Sequence, residues 1–407
     1  MAVKVHDTFY FVRQPIFSPQ LKVKAYQLIF RANHLDLSED EGSLDEDNLR
    51  AFLELVAEMD WEKVANQAPL FIELPPRLVQ DAVLEKIPLL SSGVIVATDW
   101  RAIHKPYWQD IEQLVTIYHF LLGVTQYDFS SPLPFDESKI RYVRADLPAG
   151  GPNTITSMFP GVRDRAHWIA GNVKTHEQFV FCRYHGFKFF TGPFYLKPKL
   201  KEEKPLQPSQ VRVLQVLRKL EDPKLNLNEL TYLLQQDVSM SEQVVRMANR
   251  FLHEGEGYLY SILDAVRRLG MERLKLWVQT YLMTDLSDDL PELARTALIR
   301  AQFCACMGEI VQGDRDMFYT AGLFSLLDVI LDRPLHEIVR ELKLQKALQL
   351  ALLEHAGHAG AALHIIESLE KGEVNFALPP GVSPVQVRTC YTEALHYADE
   401  IMRASEL

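Results

Sequence analysis

The sequence predicts an α/β domain followed by an all-α domain. Between residues 69 and 196, short β-rich runs alternate with helix-compatible stretches, and beyond residue 210 apolar residues recur at helical spacing. Between these two regions, KPKLKEEKPLQPS (197–209) replaces the apolar pattern with lysines, prolines and polar residues. We therefore predict a first domain at 1–198, a linker at 199–209 and a second domain at 210–407.

The strands of the first domain are predicted by six runs, each too short for a buried helix: PLFIEL, GVIVATDW, LLGVTQYDF, IRYVRADL, HWIAGNV and FKFFTGPFYL. Stretches such as RLVQDAVLEKIPLL and THEQFVFCRYHG lie between them and suit helices. This alternation is typical of βα units around a mainly parallel sheet, of which a barrel is one closed form. Further upstream, AYQLIFRA is another strand-like run, and it contains the polar residue Gln27.

The second domain is predicted to be nearly all helix. Its apolar residues are spaced by three and four, as in the series that starts at Val213, Val216, Leu217 and Leu220. Pro291 opens the apolar run PELARTALIRAQFCACMGEIV, where a first-turn proline loses no helical hydrogen bond.

Composition and charge indicate protein partners. The 407 residues are 47% hydrophobic and carry a formal net charge of -11, so no long-range field draws the molecule to nucleic acid or to an anionic membrane. The N-terminus lacks a signal-peptide pattern, and no window of the sequence reaches bilayer-spanning length without charges. We expect a soluble, cytoplasmic protein that does not act at a membrane, and the sequence is compatible with a homodimer.

One segment has the outline of a DNA-binding helix-turn-helix, namely LNELTYLLQQDVSMSEQVVRMANRF. Its second helix offers Glu242, Gln243, Arg246 and Asn249, but the intervening apolar residues are needed for packing. The acidic net charge opposes DNA binding as well. We therefore expect no nucleic-acid partner.

Five stretches together carry a resemblance to a known family: RQPIFSPQLKVKAYQLIFRA, LFIELPP, YVRADL, IAGNVKTHEQFVFCRYHGFKFFTGPFYLKP and AGLFSLLDVILDRPLHEIV. Because these stretches follow one another in this order, the chain resembles bacterial signalling proteins that fuse an EAL domain to an HDOD domain. The resemblance implies a modified TIM barrel, of the kind that hydrolyses cyclic di-GMP with two divalent cations, followed by a helical HDOD domain.

The carboxylates that the family's two-metal chemistry requires are largely replaced in this sequence. Matched to the family's pattern, the glutamate that gives EAL its name falls on Gln27, and a metal-binding asparagine falls on Glu73. The next glutamate falls on Ala97, which offers no ligand atom. Divalent cations of this kind require several converging oxygen ligands at the strand ends.

The later positions continue this loss. The paired aspartates of the family fall on Tyr127 and Asp128, and the lysine and aspartate of the following strand fall on Arg144 and Asp146. Asp128 and Asp146 are therefore the acidic positions that remain, and we expect them to end strands or to pair with Arg144.

Near the end of the barrel, the family's glutamates fall on Gly171 and Lys174, and a glutamine falls on Thr191. Arg31 matches an arginine that contacts phosphate in the family. In the second domain, the His-Asp pair of catalytic HD domains falls on Ser325 and Leu326.

These replacements predict a degenerate phosphodiesterase-like domain that is not an enzyme, has no catalytic residue and holds no metal or cofactor. We expect the chain to act by protein–protein contact in cyclic-di-GMP-linked regulation of motility, biofilm or pili, and cyclic di-GMP itself is not expected as a partner. The alternatives are a receptor that binds cyclic di-GMP through Arg31 without hydrolysis, and a residual phosphodiesterase.

The candidate surface for a protein partner lies in NRFLHEGEGYLYSILDAVRRLG, which joins a helix end to a glycine-containing loop. Phe251, Tyr258 and Tyr260 are its aromatic residues, and aromatic side chains are favoured anchors of interfaces. The alternative is that these rings pack into the helical core.

Overall fold

The computed structural model describes most of the chain. The described residues are 9–32, 46–128, 133, 139–147, 166–198, 208–220, 222, 224–236, 238–250, 258–287, 290–373 and 376–405. They form two compact units, which we call the barrel unit (1–197 with 364–407) and the helical unit (198–363).

Eight strands close into a barrel in the order of the sequence. The strands are β1 (Phe9–Phe17), β2 (Val23–Ala32), β3 (Leu70–Glu73), β4 (Val94–Asp99), β5 (Leu121–Tyr127), β6 (Ile140–Asp146), β7 (His167–Gly171) and β8 (Phe189–Thr191). The runs that predicted β3 to β8 are all confirmed as strands.

β1 runs antiparallel to both of its neighbours, whereas every other neighbouring pair is parallel. The carboxyl ends of β2 to β8 therefore meet at one end of the barrel, which we call the mouth. Phe9, the first residue of β1, is opposite Ala32 at the end of β2 and so also lies at the mouth. Inside, an apolar cluster fills the barrel; it consists of Ile16, Phe71, Ile95, Ala97 and Ile169.

The helices of the barrel unit lie between the strands and after residue 363. Those between the strands are α1 (Glu46–Glu58), α2 (Trp61–Ala65), α3 (Asp81–Leu84), α4 (Trp108–Ile117) and α5 (His176–Tyr184). The helical unit contains α6 (Pro208–Leu220), α7 (Leu227–Gln235), α8 (Val238–Arg250), α9 (Ile262–Leu269), α10 (Met271–Leu286), α11 (Pro291–Ile310), α12 (Arg315–Phe324), α13 (Leu327–Leu331), α14 (Leu335–Leu342) and α15 (Lys346–Glu354). The chain continues through α16 (Gly357–Glu370) and ends with α17 (Pro384–Ser405).

The helix α17 covers part of β1. The pairing of β1 with β8 spans only Ile16 and Phe17, so the first part of β1 needs other partners on that edge. The Tyr391 hydroxyl accepts a hydrogen bond from the Arg13 amide at 3.0 Å, and Arg388 Nη1 donates to the Phe9 carbonyl at 3.4 Å. A helix from the end of the chain thus adds hydrogen bonds to the first strand.

This contact places the C-terminal segment differently from the sequence prediction. We predicted a second domain at 210–407, but residues 364–407 group with the barrel. One of the contacts that join this segment to the barrel is a buried ion pair, in which Arg13 Nη1 lies 2.9 Å from Asp399 Oδ2 with both side chains 1% exposed. The two units divide between residues 197 and 198.

The helical unit is built around α11, of which 14 residues are buried. Gly322 lets α12 approach α11 closely, because a Cβ at this position would overlap the Arg300 carbonyl. The fold class that the sequence predicts, an α/β barrel followed by helices, is therefore confirmed. No helix within the described ranges is both long enough and apolar enough to cross a bilayer.

Candidate functional site

Most of the predicted site residues lie on the strands that end at the mouth. They are Gln27 and Arg31 on β2, Glu73 on β3, Ala97 on β4, Tyr127 on β5, Arg144 and Asp146 on β6, Gly171 on β7 and Thr191 on β8. The parallel register brings Glu73 beside Ala97 and Asp146 beside Gly171. The barrel therefore gathers residues that are far apart in the sequence.

Arg144 is the centre of a charged cluster at the mouth. Its Nε and Nη2 donate to the two carboxylate oxygens of Asp146 at 2.9 and 3.0 Å, and its Nη1 donates to Glu73 Oε2 at 2.6 Å. Arg144 and Asp146 are two residues apart on one strand, so their side chains share a face. This two-point contact is the strong geometry of an arginine–carboxylate pair.

The guanidinium of Arg144 stays charged in this environment. Burial by itself lowers the pKa of Arg144, but the negative charges of Glu73 and Asp146, together with their hydrogen bonds, outweigh burial and raise the pKa above its usual range. The cluster thus holds one permanent positive charge between two carboxylates.

Gln27 extends the cluster into the barrel. The side chain is fully buried, and its Nε2 donates to Glu73 Oε2 at 2.6 Å. Its Oε1 has no hydrogen-bond partner among the residues that the structure describes. Glu73 therefore accepts two hydrogen bonds on one oxygen, from Gln27 and from Arg144.

Gly171 provides the space that the cluster occupies. A Cβ at this position would overlap Asp146 Oδ1 and would lie 2.9 Å from Arg144 Nε. The match to the EAL pattern treats Gly171 only as a lost carboxylate. In the structure, the missing side chain is what leaves room for the Arg144–Asp146 pair.

Three other predicted positions lie outside the charged cluster. Ala97 is part of the apolar interior. The Tyr127 ring packs against Trp100 and Trp168, with centroids 5.4 and 5.8 Å apart, and burial together with the charge of Asp128 raises the pKa of its hydroxyl. Asp128 itself is exposed just after β5.

The remaining predicted residues of the barrel sit around the rim. Lys174 is exposed after β7, and Thr191 is 2% exposed with its hydroxyl lacking a hydrogen-bond partner in the described part of the chain. Arg31 is half-buried near the end of β2 and donates to the Phe30 carbonyl at 2.9 Å. Arg31 and Arg144 are the two arginines among the predicted residues that the strands bring to the mouth.

The side-chain oxygen atoms at the mouth are not arranged to bind the two divalent cations that the resemblance implies. The carboxylates of Glu73 and Asp146 already face the Arg144 guanidinium, and Gln27 presents its NH₂ group to Glu73. Within the described ranges, no three His, Cys, Asp or Glu side chains gather with metal-binding geometry. A hard cation requires such oxygen atoms as direct ligands.

In the helical unit, the position of the HD pair is filled by packing and by a neutral hydrogen bond. The Ser325 hydroxyl accepts from Arg300 Nη1 at 3.0 Å and donates to the Gly322 carbonyl at 2.7 Å, and Leu326 is 2% exposed. This arrangement ties α12 to α11 and offers no metal-ligand pair at Ser325 and Leu326.

The aromatic residues proposed as partner anchors are partly described. Tyr258 and Tyr260 are 57% and 85% exposed, and their ring centroids lie 5.0 Å apart. Both line a groove of about 670 Å³ that also includes Val245 and Arg246 of α8. The two rings are therefore on the surface and not in the core, whereas Phe251 lies outside the described residues.

The sequence pattern located the positions at the mouth and the pairing of Asp146 with Arg144, but not the contacts of Gln27, Glu73 and Gly171. Gln27 and Gly171 counted as losses, yet one donates to Glu73 and the other makes room for Arg144. One signal was present, because Glu73 introduces a new acid in the same site as the basic residue Arg144. A gained acid and a base at one site indicate an ion pair.

Comparison with known proteins gives one family match and two full-length relatives. Residues 206–357 match the HDOD domain family. The chain is 24% identical over 97% of its length to cyclic di-GMP phosphodiesterase CdgJ of Vibrio cholerae, covering 94% of that protein. It is also 24% identical over 96% of its length to the uncharacterized protein YuxH of Bacillus subtilis, covering 98% of it.

Solved structures with similarity to the chain include EAL proteins. They are BlrP1 of Klebsiella pneumoniae in complex with calcium and cyclic di-GMP (14% identity, 47% of this chain, 56% of that chain, TM-score 0.36), an EAL domain protein of Listeria monocytogenes (12%, 48%, 93%, 0.37) and the PaMucR phosphodiesterase in complex with cyclic di-GMP (11%, 50%, 99%, 0.37). This chain thus spans about half of the BlrP1 chain.

The prediction that the chain is not an enzyme is contradicted by one of the two full-length relatives. A relative that aligns with nearly the whole chain is named as a cyclic di-GMP phosphodiesterase. The prediction rested on counting lost metal ligands, and such a count addresses only one way of stabilising charge on a phosphodiester. The expectation that cyclic di-GMP is not a partner is likewise unsupported, since that relative is named for acting on it.

Proposed function

We propose that this protein acts in cyclic di-GMP signalling and that the mouth of its barrel binds and slowly hydrolyses cyclic di-GMP. The observation that carries the proposal is the alignment over 97% of the chain with a relative named for this activity. Regulation of motility, biofilm or pili stays a prediction for the output of the protein.

The arginine N–H groups at the mouth, rather than the net charge there, support binding of a phosphodiester. Cyclic di-GMP has two phosphodiester groups, each with one negative charge, and arginine is well suited to such groups. Arg144 uses three of its five N–H groups for Glu73 and Asp146, which leaves one N–H on Nη1 and one on Nη2 for a phosphate oxygen. Arg31, half-buried near the end of β2, is the second arginine at this end of the barrel.

In the proposed hydrolysis, a water molecule attacks one phosphorus, the ester bond to a ribose oxygen breaks, and that oxygen leaves with a proton to give the linear dinucleotide. The Arg144 guanidinium donates to charge that develops on the phosphate, as preorganised donors do in other phosphoryl-transfer sites. Its charge is shared with two carboxylates, and it is 11% exposed, so only its edge reaches a ligand. We therefore expect tight positioning of one phosphate and modest stabilisation of the transition state.

The first test measures binding and turnover on the full chain. We expect calorimetry to show binding of cyclic di-GMP, and chromatography to show slow appearance of the linear dinucleotide. Arg31→Ala should weaken binding about 10- to 100-fold, because it removes a charge-assisted hydrogen bond to phosphate. The matched control is Arg141→Ala, since Arg141 is exposed at the amino end of β6, away from the mouth.

Two outcomes would contradict the proposal. Absence of both binding and linear product would remove cyclic di-GMP as the ligand. Equal loss of binding in Arg31→Ala and Arg141→Ala would show a non-specific charge effect and would remove the mouth as the binding site.

A second candidate function is recognition of a protein partner by the helical unit. The specific observation is the exposed pair Tyr258 and Tyr260 at the groove beside α8. Rings that are exposed in the free protein are available as interface anchors, which core rings are not. This function is compatible with cyclic di-GMP as the input at the barrel.

The test of this candidate separates stability from recognition. We expect Tyr258→Ala and Tyr260→Ala to change the free energy of unfolding by no more than about 0.5 kcal/mol, as is usual for exposed sites. The same variants should lose proteins that the wild type captures from extract of its host, whereas Tyr232→Ala, exposed on α7, should keep them. A large drop in melting temperature, or unchanged capture, would reject the anchor role.

A further inference from the structure

A positive charge supplied by the protein itself partly offsets the negative charges of the cluster at the mouth. Two carboxylates, Glu73 and Asp146, face one guanidinium at N–O distances of 2.6 to 3.0 Å. The Glu73 and Arg144 side chains are 12% and 11% exposed, so water screens this pair only weakly. The Arg144 side chain therefore already contacts the two carboxylates that would attract a cation.

The surrounding backbone is shaped for that side chain. Gly171 stands next to Asp146 in the register of β6 and β7, and any Cβ there would overlap the Asp146 carboxylate and crowd Arg144 Nε. The space left by Gly171 is taken by the Arg144–Asp146 pair. The arrangement is thus built from three strands, β3, β6 and β7, and not from one flexible residue.

A divalent cation competes directly with Arg144 for the same oxygen atoms. Mg²⁺ binds carboxylate oxygen at about 2.1 Å and calcium at about 2.4 Å, so either ion at Glu73 and Asp146 would sit against the guanidinium. An arginine keeps its proton in proteins and cannot relieve this repulsion by becoming neutral. The ion must displace the whole side chain to bind.

We propose that the Arg144 guanidinium occupies the cation position of this site and excludes divalent metal ions. Removal of the Arg144 side chain then turns the site into a divalent-cation site. In the absence of its guanidinium, Glu73 and Asp146, whose side chains are 12% and 30% exposed, become two like charges without a counterion. The Gln27 amide, whose Nε2 lies 2.6 Å from Glu73 and whose Oε1 is buried without a hydrogen-bond partner in the described residues, adds a third oxygen ligand once it rotates by about 180°. Three oxygen atoms of this kind suit Mn²⁺ or Ca²⁺.

The experiment titrates the full chain with MnCl₂ or CaCl₂, with no nucleotide present, and follows the melting temperature and the heat of binding. The wild type should show no saturable binding and no change of melting temperature beyond that of the control Arg141→Gln. Arg144→Gln should bind Mn²⁺ and gain about 2 °C or more when the ion is in large excess over its dissociation constant. Because no nucleotide is used, this result is independent of the proposed activity.

Further variants keep the test decisive. In Arg144→Gln, a second substitution Asp146→Asn should abolish the gain, since it removes one of the two carboxylates. Arg144→Lys keeps the positive charge and should stay insensitive to Mn²⁺. If Arg144→Gln does not fold, the titration of the wild type and of Asp146→Asn still tests the proposal. Saturable Mn²⁺ binding by the wild type that is lost in Asp146→Asn would overturn the proposal, as would a folded Arg144→Gln that gains nothing.

Discussion

Asp399→Ala is expected to lower the free energy of unfolding of the barrel unit by about 3–5 kcal/mol, the usual cost of breaking a buried ion pair from one side. Arg13 would keep its hydrogen bond to the Val64 carbonyl, but its charge would lie buried without the carboxylate that now receives Nη1 and Nη2. Both side chains are 1% exposed, so water cannot replace Asp399.

Urea unfolding followed by tryptophan fluorescence measures this effect in the relevant unit. Four of the five tryptophans, Trp61, Trp100, Trp108 and Trp168, belong to the barrel unit. Glu400→Ala, an exposed neighbour on α17, is the control and should change stability by no more than about 0.5 kcal/mol.

A double variant tests the origin of the loss. Arg13→Met with Asp399→Leu removes both charges and should recover most of the stability, because apolar pairs of similar volume often replace buried ion pairs at little cost. A single Asp399→Ala variant as stable as Glu400→Ala would show that α17 does not depend on this ion pair.

Gly192→Ala is the second change with a large expected effect, a destabilisation of about 2–6 kcal/mol. Gly192 has φ +135° and ψ 173°, a region that is essentially restricted to glycine and costs another residue about 1–3 kcal/mol. Its Cβ would also overlap the Val173 backbone, and overpacking adds about 1–3 kcal/mol. The hydrogen bonds from the Val173 amide to the Thr191 carbonyl and from the Phe194 amide to the Val173 carbonyl would be strained as well.

Gly93→Ala is the matched control for the backbone conformation. Gly93 also has a positive φ, +100°, but a Cβ there would meet nothing within 4 Å. Its substitution should cost only the conformational part, about 1–3 kcal/mol. Urea unfolding should therefore give a lower midpoint for Gly192→Ala than for Gly93→Ala, and equal midpoints would show that the contact with Val173 contributes nothing.

Local pattern was sufficient to predict the strands and the helical half. Runs such as GVIVATDW and HWIAGNV are short, apolar and rich in β-branched or aromatic residues, and they became β4 and β7. The stretch RLVQDAVLEKIPLL was less well predicted, since it contributes to one 3₁₀ turn and forms only the four-residue helix α3. Pro76 begins that 3₁₀ turn, and Pro88 prevents the helix from extending further.

The candidate site was predictable in position and in the pairing of Asp146 with Arg144, but not in its other interactions. Matching to the EAL pattern located Gln27, Glu73, Arg144 and Asp146 at the mouth, because each lies on a recognisable strand. Which side chains pair is a matter of distance across the barrel, and Glu73 and Arg144 are 71 residues apart in the chain. A count of lost metal ligands therefore identified the missing carboxylates but not the contacts of Glu73 with Gln27 and Arg144.

The order of residues alone was enough to place strands and helices, since periodicity and turn residues act over a few neighbours. Only the folded chain shows that α17 packs against the first strand. It also shows that Arg144 lies between Glu73 and Asp146, in the space that Gly171 leaves. Arg13 and Asp399 illustrate why: they are 386 residues apart, and each stands in an ordinary strand or helix pattern. Their pairing arises from burial and electrostatics between distant segments, which no local pattern records.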